Sequence, residues 1–173
     1  MNKNLGLTHI YYGMGKGKTT AALGLALRAL GHGLRVVMVQ FLKSTETGEL
    51  QALAQFPEVT LLRGKACDKF VRDMTEAERD ATRACHDQNL IAACAMDCDL
   101  LILDEVLDAL TLGLLDEDTL RTLLIEKRPR RELVLTGHAP IPWVFDYADY
   151  ITEMKKEKHP YDTGVTAREG IEF

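Results

Sequence analysis

One stretch constrains the fold of this chain more than any other. It is Thr8-His-Ile-Tyr-Tyr-Gly-Met-Gly-Lys-Gly-Lys-Thr-Thr20, in which a short apolar strand runs into a glycine-lysine loop and then into a long apolar helix. Glycines let consecutive backbone N–H groups turn toward a single anion, and the following helix presents its positive dipole end. Lys18 adds a mobile positive charge, and a threonine hydroxyl, Thr19 or Thr20, can reach a magnesium ion. The stretch predicts a phosphate cradle and hence a site for a nucleoside triphosphate.

The spacing departs from the common P-loop, which has four residues between its first glycine and the Gly-Lys pair. Here Tyr12 stands where that glycine would be, and the nearest glycine is Gly13, so the loop is one residue short. Gly13, Gly15 and Gly17 still give the backbone its freedom, but the nucleotide need not sit in the usual pose. A flexible, solvated Gly/Lys turn is the alternative reading. The strand before the loop and the Ala/Leu-rich helix after it favour the phosphate cradle.

At 173 residues the chain has the length of a single domain with its own core, and residues 1–173 are expected to form one. A net charge of −5 argues against a general nucleic-acid binder, which needs a basic face. The segment Met1-Asn-Lys-Asn-Leu-Gly lacks the apolar core of a signal peptide, and no apolar run approaches the roughly 18 residues of a membrane span. A cytoplasmic protein with no membrane partner is expected. Cys67, Cys85, Cys94 and Cys98 form no C-x-x-C pair and are read as buried small apolar residues, with a metal site at Cys85, Cys94 and Cys98 as the alternative.

Along the chain, strands are expected at 7–12, 35–41, 59–62, 99–105, 132–137 and 150–154, with helices at 18–31, 48–56, 75–96, 106–113 and 116–127 and a helical turn at 142–147. The strands Arg35-Val-Val-Met-Val-Gln-Phe41 and Asp99-Leu-Leu-Ile-Leu-Asp-Glu105 are continuous apolar runs, the pattern of parallel strands covered on both faces. The fold class is therefore α/β: a P-loop NTPase-like, mostly parallel sheet with helices on both faces. Thr75-Glu-Ala-Glu78 has the form of a capping box opening the longest helix, and Arg128-Pro-Arg-Arg131 breaks the helical pattern before the next strand. Residues 155–173 form no regular element and are expected to pack back on the body.

The strand ending in Asp104 and Glu105 delivers two carboxylates to the edge of the sheet where the P-loop also ends. An acidic pair there can hold Mg²⁺ directly or through water, or can cap the following helix. The loop Lys43-Ser-Thr-Glu-Thr-Gly48 leaves a strand on the same side and either touches the ligand or is a solvated turn. The irregular basic loop at 63–74 carries one exposed-looking aromatic, Phe70, and could bind a second substrate. Trp143 is read as a packing residue, and the lone His159 as structural.

Taken together, these residues resemble the ATP:corrinoid adenosyltransferases of the CobA/CobO/BtuR type, over nearly the whole chain. The resemblance rests on Gly13-Met-Gly-Lys-Gly-Lys-Thr-Thr20 followed by Ala-Ala-Leu-Gly-Leu-Ala, on Gly-His-Gly-Leu-Arg-Val with Val-Gln-Phe41, and on Leu-Asp-Glu105 and Leu-Thr-Gly137. The terminal His159-Pro-Tyr-Asp-Thr-Gly164 through Gly-Ile-Glu-Phe173 completes it. The short P-loop is itself a mark of that family. The resemblance implies transfer of the 5′-deoxyadenosyl group of ATP to cobalt(I) of a corrinoid with release of triphosphate, and ATP bound in the reverse sense to other P-loop proteins. Cobalt(I) is itself the nucleophile, so no side-chain nucleophile or general base is required.

The resemblance implies residue roles as well. Gly13, Met14, Gly15, Lys16, Gly17, Lys18, Thr19 and Thr20 would hold the polyphosphate, with Thr19 and Glu105 on Mg²⁺ and Asp104 supporting the metal from beside or behind. Lys18, Thr19 and Glu105 would be the residues that carry catalysis. His138 follows Leu-Thr-Gly137 where the family commonly has arginine, and Met14 stands where many members have Asn or Asp. Better-known members carry an N-terminal lid and a Phe/Trp pair against the corrinoid. Here six residues precede Leu7 and the loop offers Phe70, so the tail or a partner subunit is expected to close the site. A homodimer and a flavodoxin-like reductase supplying cobalt(I) are implied as partners. The competing readings are another P-loop NTPase or small-molecule kinase, which needs a positioned base, and a non-catalytic nucleotide switch or corrinoid carrier.

Overall fold

The computed structural model describes residues 5–64, 67–127 and 131–172. Six strands form one sheet: β1 (Thr8–Tyr12), β2 (Val36–Gln40), β3 (Val59–Arg63), β4 (Leu100–Asp104), β5 (Glu132–Gly137) and β6 (Tyr150–Glu153), in the order β3-β2-β4-β5-β1-β6. Every pairing is parallel, including that of the edge strand β6 with β1, so the sheet is more uniform than "mostly parallel". Parallel strands need crossovers. These are made by α1 (Lys18–Leu30), α2 (Gly48–Leu53), α3 (Glu76–Ala95), α4 (Val106–Thr111), α5 (Glu117–Thr122) and α6 (Pro142–Phe145).

Strand side chains alternate between two cores. Val37, Val39, Leu101, Leu103, Leu133 and Leu135 face α3, α4, α5 and α6 through Leu90, Ala93, Leu107, Leu120 and Val144. Their neighbours Val36, Met38, Leu100, Ile102 and Val134 face α1 and α2 through Ala22, Ala26, Leu30 and Leu53. Because both faces are covered, the strands read as unbroken apolar runs.

The element boundaries differ from expectation where local chemistry decides. The helix expected over 48–56 ends at Leu53 and runs on through three-residue turns, Gln55 to Ala52 and Phe56 to Leu53, ahead of Pro57, which disfavours the helical region for Phe56. The helix expected over 116–127 is α-helical only to Thr122 and continues as a π-helical turn, Leu123–Lys127. The capping box is present: the Glu78 amide donates to Thr75 Oγ1 at 3.3 Å and the Thr75 amide to Glu78 Oε2 at 2.8 Å. In the tail a short 3₁₀ turn, Pro160–Thr163, forms where no regular element was expected, with His159 Nδ1 accepting from the Tyr161 amide.

Arg131 is buried and caps the carboxyl end of α3, donating to the carbonyls of Ala93 and Cys94 at 3.2 and 3.1 Å. The rest of the Arg-Pro-Arg break, residues 128–130, lies outside the described residues, as do 1–4, 65–66 and 173. No disulfide forms among the described residues, and of the four cysteines expected to be buried only Cys98 is; Cys67, Cys85 and Cys94 are half-buried. Among the described residues, no helix is long and apolar enough to cross a membrane.

Candidate functional site

The carboxyl ends of β1, β4 and β5 gather the chemistry. The loop after β1 turns on Gly13 and Gly17, at φ 110° and 114°, a region that a residue with a Cβ adopts only with strain. Gly13 and Gly15 also lie against the chain that leaves β6. An added Cβ would sit 2.7 Å from the Met154 carbonyl oxygen at Gly13 and 2.5 Å from it at Gly15. The Gly15 amide donates to that same oxygen at 2.6 Å, and the Gly13 amide is shared between the carbonyls of Gly137 and His138. Gly13 and Gly15 therefore anchor the loop to the sheet.

Lys18 opens α1 and is buried, its ammonium donating to the carbonyls of Gly13 and Gly15 at 2.8 and 3.1 Å. The charge is thus held inside the loop by two of the loop's own carbonyls. Met14 and Lys16 stand outward on the loop, Met14 66% exposed, and Thr20 is exposed beside the half-buried Thr19. Phe70 is also outward, 72% exposed, with Arg72 over its ring.

Asp104, at the end of β4, is fully buried and fully engaged. Its Oδ1 accepts from the hydroxyls of Thr19 and Thr136 at 2.9 and 2.8 Å, and its Oδ2 is 2.7 Å from the Lys43 ammonium. Thr19 spends its proton on Asp104, which leaves the hydroxyl lone pairs available to a cation. Thr136 spends its proton on Asp104 and accepts the Glu105 amide at 2.8 Å.

That amide bond matters because Glu105 is left-handed, φ 63°. A non-glycine residue there costs roughly 1–3 kcal/mol and persists only where its surroundings over-determine it. Glu105, Asp108 and His138 each offer an atom to one small volume, all within 4.8 Å of one another. Among the described residues this is the one cluster of three or more His, Cys, Asp or Glu side chains close enough to share a metal, and it contains no cysteine.

The same three groups set one another's protonation. Burial pushes the Glu105 carboxyl up to about 7, helped by its hydrogen bond to Asp108 and by the charges of Asp104 and Asp108. Burial would also raise Asp108, but the hydrogen bonds from His138 and Glu105 outweigh it and hold the carboxyl below its ordinary value. His138 is raised, chiefly by its hydrogen bond to Asp108, with Nδ1 3.1 Å from Oδ2 and its amide 3.0 Å from the same oxygen.

Lys43, Asp108 and Thr136 had no individual role in the sequence reading. Asp108 sits one helical turn beyond the acidic pair, and Thr136 lies in the Leu-Thr-Gly segment, so the signals existed. Only the fold shows which atoms they meet.

The comparisons with known proteins agree in kind. The model of the ATP:corrinoid adenosyltransferase family, BtuR/CobO/CobP, matches residues 4–173. The chain belongs to the ATP:corrinoid adenosyltransferase family. A corrinoid adenosyltransferase of Pseudomonas aeruginosa is 33% identical over 97% of this chain and 84% of its own length. Those of Escherichia coli K12 and Salmonella typhimurium are 33% and 32% identical over 97% of this chain and 86% of theirs. A solved KaiC-like protein from Pyrococcus horikoshii superposes with a TM-score of 0.53 over 90% of this chain and 75% of its own, at 19% identity. That likeness is one of fold alone.

Proposed function

We propose that this protein transfers the 5′-deoxyadenosyl group of ATP to cobalt(I) of a corrinoid and releases triphosphate. The observation that carries the reading is that the family match spans residues 4–173, so it covers the loop, the acidic pair and the tail together. In the reaction the cobalt(I) electron pair forms the bond to C5′, the C5′–O5′ bond breaks, and that pair leaves on the triphosphate oxygen. The protein must therefore align C5′ with cobalt and neutralise the leaving group.

The residues present fit Mg²⁺, which favours hard oxygen donors. Thr19 offers a hydroxyl whose proton is already committed to Asp104, and Glu105 offers a carboxylate 20% exposed at the sheet edge. Mg²⁺ would neutralise charge developing on the triphosphate. In this reading Lys18 swings from the loop carbonyls to the polyphosphate, and Gly17, Lys16, Thr19 and Thr20 line it. Asp104 acts from behind Thr19, since both its oxygens are taken. His138 would add a cation held by Asp108, and Phe70 an apolar face toward the corrinoid.

The tail closes over the loop in the same reading. Glu172 reaches Lys16 at 2.7 Å, and a cavity of about 510 Å³ lies between Gly15, Lys16 and the tail at Lys155, His159, Tyr161 and Arg168. A cytoplasmic homodimer supplied with cobalt(I) by a flavodoxin-like reductase completes the proposal.

The test is to incubate the protein with ATP, Mg²⁺ and chemically reduced cobalamin, following the cobalt–carbon product spectrally and the phosphate product by chromatography. Alkylated corrinoid and triphosphate are expected, and Lys18→Ala should abolish both. Orthophosphate or ADP without alkylated corrinoid would overturn the reading.

A further inference from the structure

Two non-glycine residues among those described take a left-handed backbone, and they end adjacent strands on the same edge of the sheet. One is Glu105 after β4, and the other is Leu42, φ 60°, just after β2. A leucine is not placed there by its own preference, so something must hold it. The holder is His86, which is completely buried on α3.

His86 Nε2 lies 3.2 Å from the Leu42 amide and Nδ1 lies 2.9 Å from the Leu114 carbonyl oxygen. A backbone N–H can only donate, so Nε2 carries no proton and Nδ1 carries the one that points at Leu114. The ring is further fixed edge-on to Phe41, with centroids 5.2 Å apart. The imidazole thus ties α3 and the loop after α4 to the turn that leaves β2.

The consequence falls on the next residue. Lys43 is turned back over the sheet edge, where its ammonium meets Asp104 at 2.7 Å while Thr19 and Thr136 hold the other carboxylate oxygen. Thr19, Lys43, Thr47 and Glu49 also share a cavity of about 280 Å³ beside the loop. Asp104 has no exposure to water, so Lys43 is the counter-charge that fixes its orientation and, through it, that of the Thr19 hydroxyl.

We propose that Lys43, delivered by His86, is a positioning residue of the site: it acts through Asp104 to present the lone pairs of Thr19 to Mg²⁺. The inference rests on the reading of Thr19 as a ligand of Mg²⁺ in the ATP complex. It assigns Lys43 no contact with phosphate.

The experiment is equilibrium ATP binding to the full chain by calorimetry, without corrinoid, across a Mg²⁺ titration and again in EDTA. Lys43→Met is expected to raise the Mg²⁺ needed for half-saturation about tenfold or more while leaving affinity in EDTA within about twofold. Lys43→Arg, which restores the charge, should return to within about threefold of the parent. His86→Leu should reproduce the Mg²⁺ defect without adding to it in the double variant. If His86→Leu does not fold, His86→Gln, whose amide can accept from Leu42, is expected to bind like the parent, and a Mg²⁺ defect there would overturn the role of His86. Equal loss with Mg²⁺ and in EDTA for Lys43→Met would make Lys43 a phosphate ligand and overturn the proposal, as would an unchanged Mg²⁺ titration. A parent protein that binds Mg²⁺–ATP but alkylates no corrinoid would defeat the adenosyltransferase reading alone.

Discussion

Thr19 and Asp104 lie 85 positions apart in the chain, yet the threonine hydroxyl donates to the buried carboxylate at 2.9 Å. The bond decides which way the hydroxyl faces: its proton points into the protein and its lone pairs point out. Thr19→Ser should keep this and bind Mg²⁺–ATP within a few-fold of the parent. Thr19→Val should lose at least about tenfold in Mg²⁺-dependent affinity, since about 1.4 kcal/mol corresponds to tenfold. Asp104→Asn leaves Lys43 facing a neutral amide in a buried position and should lower stability by about 3 kcal/mol in urea unfolding. An unchanged Thr19→Val titration would remove Thr19 from the metal.

Stability of the ligand-free protein should fall as pH rises from about 5 to 8. The Glu105 carboxyl, raised from its ordinary 4.5 to about 7, holds a proton in the folded state that the unfolded chain releases. That contribution is full below pH 4.5 and is lost as pH rises through about 7, an effect of order 3 kcal/mol at most. His138, also raised, works in the same direction, whereas the lowered Asp108 contributes above its ordinary 3.8 and is lost only on further acidification. Urea melts at four pH values will show the slope, and Glu105→Gln should flatten most of it. A parent slope of opposite sign would refute the buried-proton account.

Two glycines should respond oppositely to the same substitution. At Gly15 a Cβ would lie 2.5 Å from the Met154 carbonyl oxygen and 2.9 Å from the Lys155 carbonyl carbon, both backbone, so Gly15→Ala must displace the loop or the chain after β6. A loss of about 1–3 kcal/mol and of ATP binding is expected. At Gly24, on the exposed side of α1, an added Cβ meets nothing within 4 Å, and Gly24→Ala should stabilise by about 0.5–1 kcal/mol. Thermal unfolding of the two variants beside the parent reads both signs.

Glu172 holds Lys16 at 2.7 Å and pairs with Arg168 at 3.0 Å. A polyphosphate that recruits Lys16 competes with this carboxylate for the ammonium. Glu172→Gln should therefore tighten tripolyphosphate binding several-fold at low salt, with the gain shrinking as salt screens the pair. Weaker binding in that variant would mean the carboxylate supports the bound state instead.

The strand–loop–helix at the amino end, the unbroken apolar strands, the capping box and the acidic pair were all legible from residue order, because each is written in neighbouring residues and in a period of hydrophobicity. Residue order also carried the family, through the short loop and the Gly-Ile-Glu-Phe end. What it could not show was which atoms those elements would bring together. The protonation of Glu105 depends on its burial and on Asp108 and Asp104, and the Thr19 hydroxyl depends on Asp104, which depends in turn on Lys43, on a left-handed Leu42 and on a histidine buried in a distant helix. These are contacts across a twisted parallel sheet whose strand order, β3-β2-β4-β5-β1-β6, interleaves distant segments. Desolvation and hydrogen-bond direction are properties of that packing, and only the tertiary structure decides them.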